Sequence, residues 1–295
     1  MAPVLLSNPV QERPFMQKNA LQSLPASWQN WVVENLAKGC DPVAMAEMME
    51  REGPFDRTLA QYALADAHRQ SHPGLVAVTK MPGIDTTSNK IILPDRIVDV
   101  LVSLSLPRVV VLGNVLSEDE CDAIAAMSQS RFARSTTIDD DSGTPQFDER
   151  RTSESASIQR GENALMWRID ARLAALSGWP VDHGEPLQLQ KYQTGNEYRP
   201  HFDWFDPALP GAAKHLEKSG QRLSTIILYL TDVEEGGGTT FPSIGLEVYP
   251  QKGGALFFCN TTPNGLPDQK TLHAGLPVVK GTKIIANKWL REKPY

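Results

Sequence analysis

Apolar and polar positions follow one pattern before residue 90 and another after it. Before it, apolar residues recur at spacings of three and four over 25–39, 42–50 and 55–68, which predicts three short helices. We expect these helices to bury a small core, although a partner-binding surface is the alternative. The expected core residues are Trp28, Trp31, Met45, Met48 and Met49. The segment 72–89, which contains Pro, Gly, Ser and Thr, is predicted to be a linker, and the first twenty residues are expected to be poorly ordered.

Beyond this point the pattern first predicts helices and one buried strand. Apolar spacing over 97–106 predicts a helix, and the β-branched run 108–112 predicts a strand. A capping box that starts at Ser117 predicts another helix. The amphipathic stretch 163–176 predicts a further one, while the polar stretch 135–147 is predicted to be a loop.

From residue 187 onward, short β-rich runs alternate with Gly, Pro and Asp turns. The predicted strands cover 187–193, 223–231, 238–241, 246–249, 255–260, 271–276 and 282–290. Many short strands in about the last 110 residues are typical of a sandwich or jelly roll. We therefore predict a mainly β fold with flanking helices, divided into an N-terminal helical region and linker over 1–89 and a jelly-roll domain over 90–295.

Composition limits the class of protein without changing this picture. The chain has 295 residues, of which 41% are apolar and 22% charged, as is ordinary for a soluble globular protein. A formal net charge of -6 gives no reason to expect a nucleic-acid partner. No apolar run is long enough to predict a membrane span, and no basic segment precedes the short apolar patch at the N-terminus. Three widely separated cysteines form no paired motif, so we predict a cytoplasmic protein.

A candidate metal site lies in the segment 198–203. His201 and Asp203 are two residues apart, so an extended strand would place both on one face and Phe202 on the other. A second histidine from a distant strand would complete a 2-His-1-carboxylate triad, which leaves coordination positions open for substrate and oxygen. His273, in a strand-like run, is the predicted third ligand. Alone, His-x-Asp is a weak signal, because the tripeptide occurs often by chance.

A candidate co-substrate site follows ten residues after His273. There Lys283 lies in a predicted strand and shares one face with apolar residues such as Ile285. A lysine on an inward face is costly unless it meets an anion, and a dicarboxylate would supply one. Tyr192 and Tyr229 also lie on predicted inward faces, where their hydroxyls would either hydrogen-bond this carboxylate or simply pack.

Together these segments resemble the prolyl 4-hydroxylase-like Fe(II)/2-oxoglutarate-dependent dioxygenases of bacterial type. The segments in question are 192–203 (YQTGNEYRPHFD), 221–230 (QRLSTIILYL), 234–242 (EEGGGTTFP), 250–258 (PQKGGALFF), His273 and Lys283. They occur in the family's order and spacing, and the resemblance covers roughly 105–295 but not the N-terminal helices. It implies a double-stranded β-helix with Fe(II), 2-oxoglutarate and O2 at its mouth, and ascorbate as a candidate reductant.

The resemblance also implies a role for individual residues. The implied metal ligands are His201, Asp203 and His273. Lys283 would bind the distal carboxylate of 2-oxoglutarate, and Tyr192 or Tyr229 would hydrogen-bond this co-substrate. The candidate substrate contacts are Arg222, Trp289 and Arg291. No catalytic residue beyond the metal ligands is predicted, and the implied reaction is hydroxylation of an unactivated C–H with release of succinate and CO2.

Two departures from the family leave the substrate open. Relatives that act on peptidyl proline often carry histidine at the position of Arg291, and the segment 204–220 is lengthened. This segment and the loop 135–143 are expected to orient the substrate, which is a prolyl residue in a peptide, a free amino acid or a small metabolite. No nucleic acid or membrane is expected as a partner, and the oligomeric state is open. A zinc hydrolase on the same ligands and a metal-binding jelly roll without oxygenase activity are the alternatives.

Overall fold

The computed structural model describes residues 24–55, 81–139, 141–262 and 265–295, together with Leu21, Leu59, Ala60, Ala63, Leu64 and Ala67. The first twenty residues, most of the predicted helix 55–68 and the first part of the predicted linker 72–89 lie outside the described residues. The chain divides into two compact units, Met1–Ala77 and Val78–Tyr295.

The N-terminal unit contains α1 (Ala26–Ala37) and α2 (Pro42–Glu52). Met45 and Met49 are buried as predicted, because a spacing of four places them on the same face of α2. Met48 was expected in this core but is 40% exposed, since it lies to one side of that face. Trp28 and Phe55 also pack in this cluster, edge to face, with their ring centroids 5.3 Å apart.

The C-terminal unit contains the remaining elements. Its helices are α3 (Glu118–Ser128), α4 (Ala164–Ser177) and α5 (Pro210–Ser219). Its strands are β1 (Lys90–Ile92), β2 (Ile97–Leu104), β3 (Val109–Gly113), β4 (Ala133–Arg134), β5 (Thr136–Ile138), β6 (Pro145–Phe147), β7 (Glu154–Ile158), β8 (Leu187–Tyr192), β9 (Tyr198–His201), β10 (Arg222–Tyr229), β11 (Glu235–Gly236), β12 (Thr239–Phe241), β13 (Leu246–Val248), β14 (Ala255–Cys259), β15 (His273–Gly275), β16 (Val278–Lys280) and β17 (Lys283–Arg291).

Two antiparallel sheets form the jelly roll. The major sheet has the order β1-β2-β3-β14-β10-β17-β8-β7-β4, and the minor sheet has the order β13-β12-β15-β9. One apolar cluster fills the space between the sheets and includes Tyr229, Phe241 and Ile285. A second cluster lies between the major sheet and helices α3 and α4. The predicted mainly β jelly roll with flanking helices is therefore confirmed.

Strand β17 shows how the alternation of side chains positions the site. Ile285 belongs to the cluster between the sheets, whereas Ile284 and Ala286 belong to the cluster beneath the helices. Lys283 shares the parity of Ile285 and pairs with Tyr192 of β8. A shift of one residue would turn Lys283 towards the helices, so the apolar pattern of this strand also fixes the direction of its lysine.

The predicted starts of α3 and α4 are confirmed. Glu120 donates its backbone N–H to Ser117 Oγ at 3.1 Å, and the Glu120 carboxylate accepts the backbone N–H of Ser117 at 3.0 Å. This capping box begins α3. Asn163 caps α4 by accepting the backbone N–H of Met166 at 3.0 Å, and Gly178 ends that helix with a φ of 59°.

The predicted helix over 97–106 is wrong, because this segment forms β2. Its β-branched residues favour a strand, and pairing with both β1 and β3 supplies hydrogen bonds that the local apolar spacing does not reveal. The predicted loop 135–147 also contains regular structure, since β5 and β6 pair as a hairpin. No helix in the described part of the chain is long and apolar enough to cross a membrane.

Candidate active site

Strands β9 and β15 bring three metal-ligand side chains together. His201 ends β9 and lies directly opposite His273, the first residue of β15. Asp203 follows β9, and its carboxylate oxygens lie 3.9 Å from His201 Nε2 and 3.7 Å from His273 Nε2. One ligand atom from each residue lies within 4.8 Å of the others, which suits a single metal ion. The structure thus places the three predicted ligands in one cluster.

Backbone carbonyls orient both imidazoles of this cluster. His201 Nδ1 lies 2.9 Å from the carbonyl oxygen of Arg199, and His273 Nδ1 lies 2.9 Å from that of Thr271. With a proton on each Nδ1, the Nε2 lone pairs point at the cluster, as metal-binding histidines require. Burial lowers the pKa of His201 to about 3, so this imidazole is neutral and available as a ligand at pH 7.

A buried polar relay holds Asp203, and sequence reasoning missed this role. Thr225 on β10 donates its hydroxyl to Asp203 Oδ2 at 2.7 Å. Asn260 in turn donates its side-chain N–H to Thr225 Oγ1 at 3.0 Å. Both residues are fully buried. The alternation of side chains along β10 places Thr225 on the same face as Tyr229, but it does not reveal this contact, because Asp203 lies outside that strand.

Lys283 is buried without an opposite charge. Its side chain is 1% exposed, and among the described residues no carboxylate lies within ion-pair distance of its Nζ. Burial lowers its pKa to about 7. Around its stem, the left-handed backbone of Gly237 would bring a Cβ to 3.5 Å from Lys283 Cδ. Such an uncompensated ammonium is costly, which marks the position as a candidate anion site.

The two candidate tyrosines have different surroundings. The Tyr192 ring lies 5.2 Å from Lys283 Nζ, and its hydroxyl donates to Gln190 Oε1. The same hydroxyl lies 3.8 Å from where a Cβ on Gly275 would be, and Gly275 is two residues beyond His273. Tyr229 donates its hydroxyl to Thr239 at 3.1 Å and belongs to the core between the sheets. Tyr192 therefore lies next to both Lys283 and the strand of His273.

A cavity of about 680 Å³ opens beside the triad. His201 and Asp203 contribute to its wall, together with strands β8, β9 and β17, the β5–β6 hairpin and the start of α5. On one side Tyr198 stacks on His201 with ring centroids 3.6 Å apart, and Arg151 lies over the other side of Tyr198 at 4.9 Å. This stack fixes the position of His201 at the cavity wall.

Two of the three candidate substrate contacts line this cavity. They are Arg222 and Trp289, whose guanidinium and ring stack at 3.7 Å. Arg291 is not among the lining residues; it is 2% exposed and donates to Glu185 at 2.9 Å. Glu185 also accepts two hydrogen bonds from Arg222, at 2.7 and 3.0 Å. Glu185 lies in a connecting segment that carried no sequence signal, so only the structure reveals this buried cluster.

Several buried polar atoms on the cavity wall have no partner within the part of the chain that the structure describes. They are Arg151 Nε, Trp204 Nε1, Asn287 Oδ1 and Trp289 Nε1. Buried donors and acceptors are normally paired, because leaving one unsatisfied costs about 1–3 kcal/mol.

The donor set also identifies the metal that these residues would hold. Two imidazoles and one carboxylate on one side of an ion are typical of non-haem Fe(II) oxygenases. The same three residues could bind the zinc of a hydrolase. That alternative, however, does not explain why an uncompensated Lys283 is buried next to Tyr192. The residues therefore fit Fe(II) together with a dicarboxylate co-substrate.

Comparison with known proteins agrees with this chemistry. The model of the 2OG-Fe(II) oxygenase superfamily matches residues 187–291. Chicken prolyl 4-hydroxylase subunit alpha-1 is 37% identical over 187 residues, which are 63% of this chain but only 36% of that subunit. Probable prolyl 4-hydroxylase 3 of Arabidopsis thaliana is 33% identical over 64% of this chain and 71% of its own length. The viral collagen prolyl hydroxylase of Paramecium Bursaria Chlorella virus-1 is 30% identical over 62% of this chain and 95% of that one, with a TM-score of 0.47.

The chain therefore belongs to the prolyl 4-hydroxylase-like members of the 2-oxoglutarate- and Fe(II)-dependent oxygenases. It is a dioxygenase of the hydroxylase type, and this family uses Fe(II), 2-oxoglutarate and O2.

Proposed function

We propose that this protein hydroxylates an unactivated C–H of a prolyl compound, with release of succinate and CO2. Fe(II) would be held by His201, Asp203 and His273, and the distal carboxylate of 2-oxoglutarate by Lys283. We assign this activity to the jelly-roll domain that we propose to run over 90–295. The observation that carries the proposal is the buried, uncompensated ammonium of Lys283, which pairs with Tyr192 across β17 and β8.

Lys283 and Tyr192 would both contact 2-oxoglutarate, Lys283 through its charge and Tyr192 through a hydrogen bond. The ammonium would neutralise the distal carboxylate, which removes the cost of burying either charge alone. The Tyr192 hydroxyl lies near both Lys283 and Gly275, so it would exchange its hydrogen bond with Gln190 for one to a ligand that extends from Lys283 towards His273. Burial raises the pKa of Tyr192 to about 12, so this hydroxyl keeps its proton and acts as a donor. Tyr229 lies in the core between the sheets and donates to Thr239, so it would contribute packing instead.

The metal ligands, together with the groups that hydrogen-bond to them, would hold the iron in a fixed position. When bound, the iron and 2-oxoglutarate supply the oxidising chemistry that no side chain can supply. Thr225 holds Asp203 Oδ2, which leaves Oδ1 to face the metal, and the carbonyls of Arg199 and Thr271 hold the imidazoles. Fixed ligand geometry of this kind typically changes metal affinity 10–100-fold.

A prolyl substrate is supported by the relatives and by the size of the cavity. The cavity of about 680 Å³ beside His201 and Asp203 falls in the size range of small-molecule sites. The two relatives from chicken and Arabidopsis are named prolyl 4-hydroxylases.

A succinate-release assay tests this proposal. Purified full-length protein is loaded with Fe(II) and given 2-oxoglutarate, O2 and either free L-proline, prolyl peptides or other amino acids. Mass spectrometry then follows the gain of one oxygen atom by the substrate. We expect at least one prolyl compound to raise succinate release above the rate without substrate and to gain oxygen stoichiometrically.

Two controls separate the alternatives. Asp203→Ala protein should release no succinate, and Zn(II)-loaded protein should be inactive. If Zn(II)-loaded protein instead hydrolysed a substrate, or if the Fe(II) protein released no succinate with any compound, the oxygenase proposal would be wrong.

A further inference from the structure

Arg291 is used in an unexpected way, as an anchor for helix α5. Its guanidinium donates to the carbonyl oxygens of His215 and Gly220, both at 2.6 Å. Gly220 is the C-terminal cap of α5, where carbonyl groups lack helical partners and a cation is favoured, and His215 lies about one turn earlier in the helix. The third contact, to Glu185 at 2.9 Å, ties the guanidinium to the segment that precedes β8. Arg291 thus joins α5 to the end of β17.

The other side of α5 contacts the β5–β6 hairpin. His215 Nε2 lies 3.1 Å from the carbonyl oxygen of Gly143, and its ring stacks on Phe205 with centroids 4.9 Å apart. Gly143 has a φ of +66°, and a Cβ there would lie 2.5 Å from the carbonyl oxygen of Gly211. Only glycine allows both this conformation and this close approach. The close contact between the hairpin and the helix therefore depends on glycine at position 143.

Both of these segments also line the cavity beside the triad. The hairpin contributes residues 136–139 and Pro145, and the α5 side contributes Leu209, Gly211 and Ala212. Because the two segments meet at Gly143 and Gly211, they form a continuous arch along the cavity wall. A cavity of about 680 Å³ falls in the size range of small-molecule sites.

We propose that Arg291 is a positioning residue that holds α5 in this arch, and that the arch selects compact prolyl substrates, namely free proline or the terminal residue of a short peptide. In this proposal, the Gly143–Gly211 contact blocks the path that the flanking segments of a long chain would take. This inference rests on the proposed prolyl substrate. It also explains two departures of this chain from the family together, because Arg291 holds the lengthened segment 204–220 through the carbonyl oxygens of His215 and Gly220.

Substrate length tests the arch directly. The full-length protein is assayed with free L-proline, a proline-containing tripeptide and an oligoproline of about ten residues, and kcat/KM is determined for each. His215→Phe keeps the stack on Phe205 but removes the hydrogen bond to Gly143. Lys214→Ala, at an exposed position of the same helix, is the matched control.

We expect wild type to prefer the short substrates. In His215→Phe, kcat/KM for the oligoproline should rise roughly three- to tenfold relative to free proline, as the loss of one hydrogen bond allows. Succinate release without substrate should not change, and Lys214→Ala should behave as wild type. Wild type that prefers the oligoproline, or a length ratio that His215→Phe leaves unchanged, would overturn the selection by the arch.

Amide hydrogen exchange tests the anchor without any substrate. Arg291→Gln should speed exchange over residues 210–219 and in the β5–β6 hairpin, whereas the core strand β10 should be unaffected. Unchanged exchange over 210–219 would overturn the role of Arg291. If no prolyl compound of any length is hydroxylated, the proposed substrate and the preference for compact prolyl compounds both fail, and exchange still decides whether Arg291 anchors α5. Should Arg291→Gln fail to fold, exchange in His215→Ala decides whether the helix and hairpin depend on each other.

Discussion

Replacing Lys283 with methionine should raise the free energy of unfolding of the protein and weaken its binding of 2-oxoglutarate. Methionine fills a similar volume without a charge, so Lys283→Met removes an ammonium that is 1% exposed and has no anionic partner among the described residues. In the absence of 2-oxoglutarate, the variant should therefore unfold at higher urea concentration than wild type. This is the reverse of what most substitutions in a core strand do.

The pKa of Lys283 gives the size of this effect. Burial lowers this pKa from 10.5 to about 7, and each pH unit corresponds to about 1.4 kcal/mol. At pH 7 the buried lysine therefore costs up to about 4 kcal/mol relative to the unfolded chain, and at pH 9 about 2 kcal/mol. Between about pH 7 and 10.5 the folded protein binds fewer protons at this residue than the unfolded chain, so wild-type stability should rise with pH. Lys283→Met should lack this rise.

Urea unfolding at pH 7 and pH 9, with and without 2-oxoglutarate, measures both effects. Under nitrogen and with saturating Fe(II) in every sample, 2-oxoglutarate at 100 times its Kd should stabilise wild type by about 2.7 kcal/mol. The variant should gain about 0.9 kcal/mol or less, because loss of a charged partner typically weakens binding by 2–5 kcal/mol, or roughly 30-fold to several thousand-fold. Lys280→Met is the control, since Lys280 is exposed and pairs with Glu234 at the surface.

Two results would contradict this reasoning. A less stable Lys283→Met protein without 2-oxoglutarate would mean that the ammonium has a partner in the protein. Equal stabilisation of wild type and variant by 2-oxoglutarate would mean that Lys283 does not bind it.

Further predictions concern the triad and the support beneath it. Asp203→Ala should abolish both iron binding, measured by metal analysis, and consumption of 2-oxoglutarate; normal consumption would exclude the proposed triad. Thr225→Val removes the 2.7 Å hydrogen bond to Asp203 and should weaken Fe(II) affinity roughly 10–100-fold in an anaerobic titration, with Thr225→Ser restoring it. Arg172 is 2% exposed and pairs with Glu120 at 2.7 Å, so Arg172→Met should cost about 3 kcal/mol or more in urea unfolding. Burial opposes ionisation of Glu120, but its hydrogen bonds with Arg172 and Ser117 outweigh burial and lower its pKa from 4.5 to about 2. Its contribution to stability should therefore be complete above pH 4.5 and lost as the pH falls to 2, a slope that Glu120→Gln should flatten in an acid unfolding series.

Much of the site could be predicted because its signals are local. The period of two in an extended chain placed His201 and Asp203 on one face, and the same period set Lys283 with Ile285. Helix starts were equally local, since the capping box at Ser117 involves residues only three apart. Each of these features depends on backbone geometry over a few residues, and the sequence displays it directly.

Other features depend on partners that are distant in the chain. The segment 97–106 carries apolar residues at helical spacing, yet its pairing with β3 makes it a strand. Glu185 gives no sequence signal, and its role arises because β17 and β10 bring Arg291 and Arg222 to it. Periodicity states which face a residue occupies, but it does not state which strand or helix will lie opposite.

The sequence by itself was therefore enough to predict the jelly roll and to name His201, Asp203 and His273 as candidate metal ligands. It was also enough to name Lys283 as the residue that a dicarboxylate would bind. Only the tertiary structure decided that His201 and His273 face each other across β9 and β15, and that Thr225 supports Asp203. It also decided that Arg291 is an anchor for α5 instead of part of the cavity wall. The physical reason is that burial and hydrogen bonding of a polar side chain depend on which long-range partners the fold supplies.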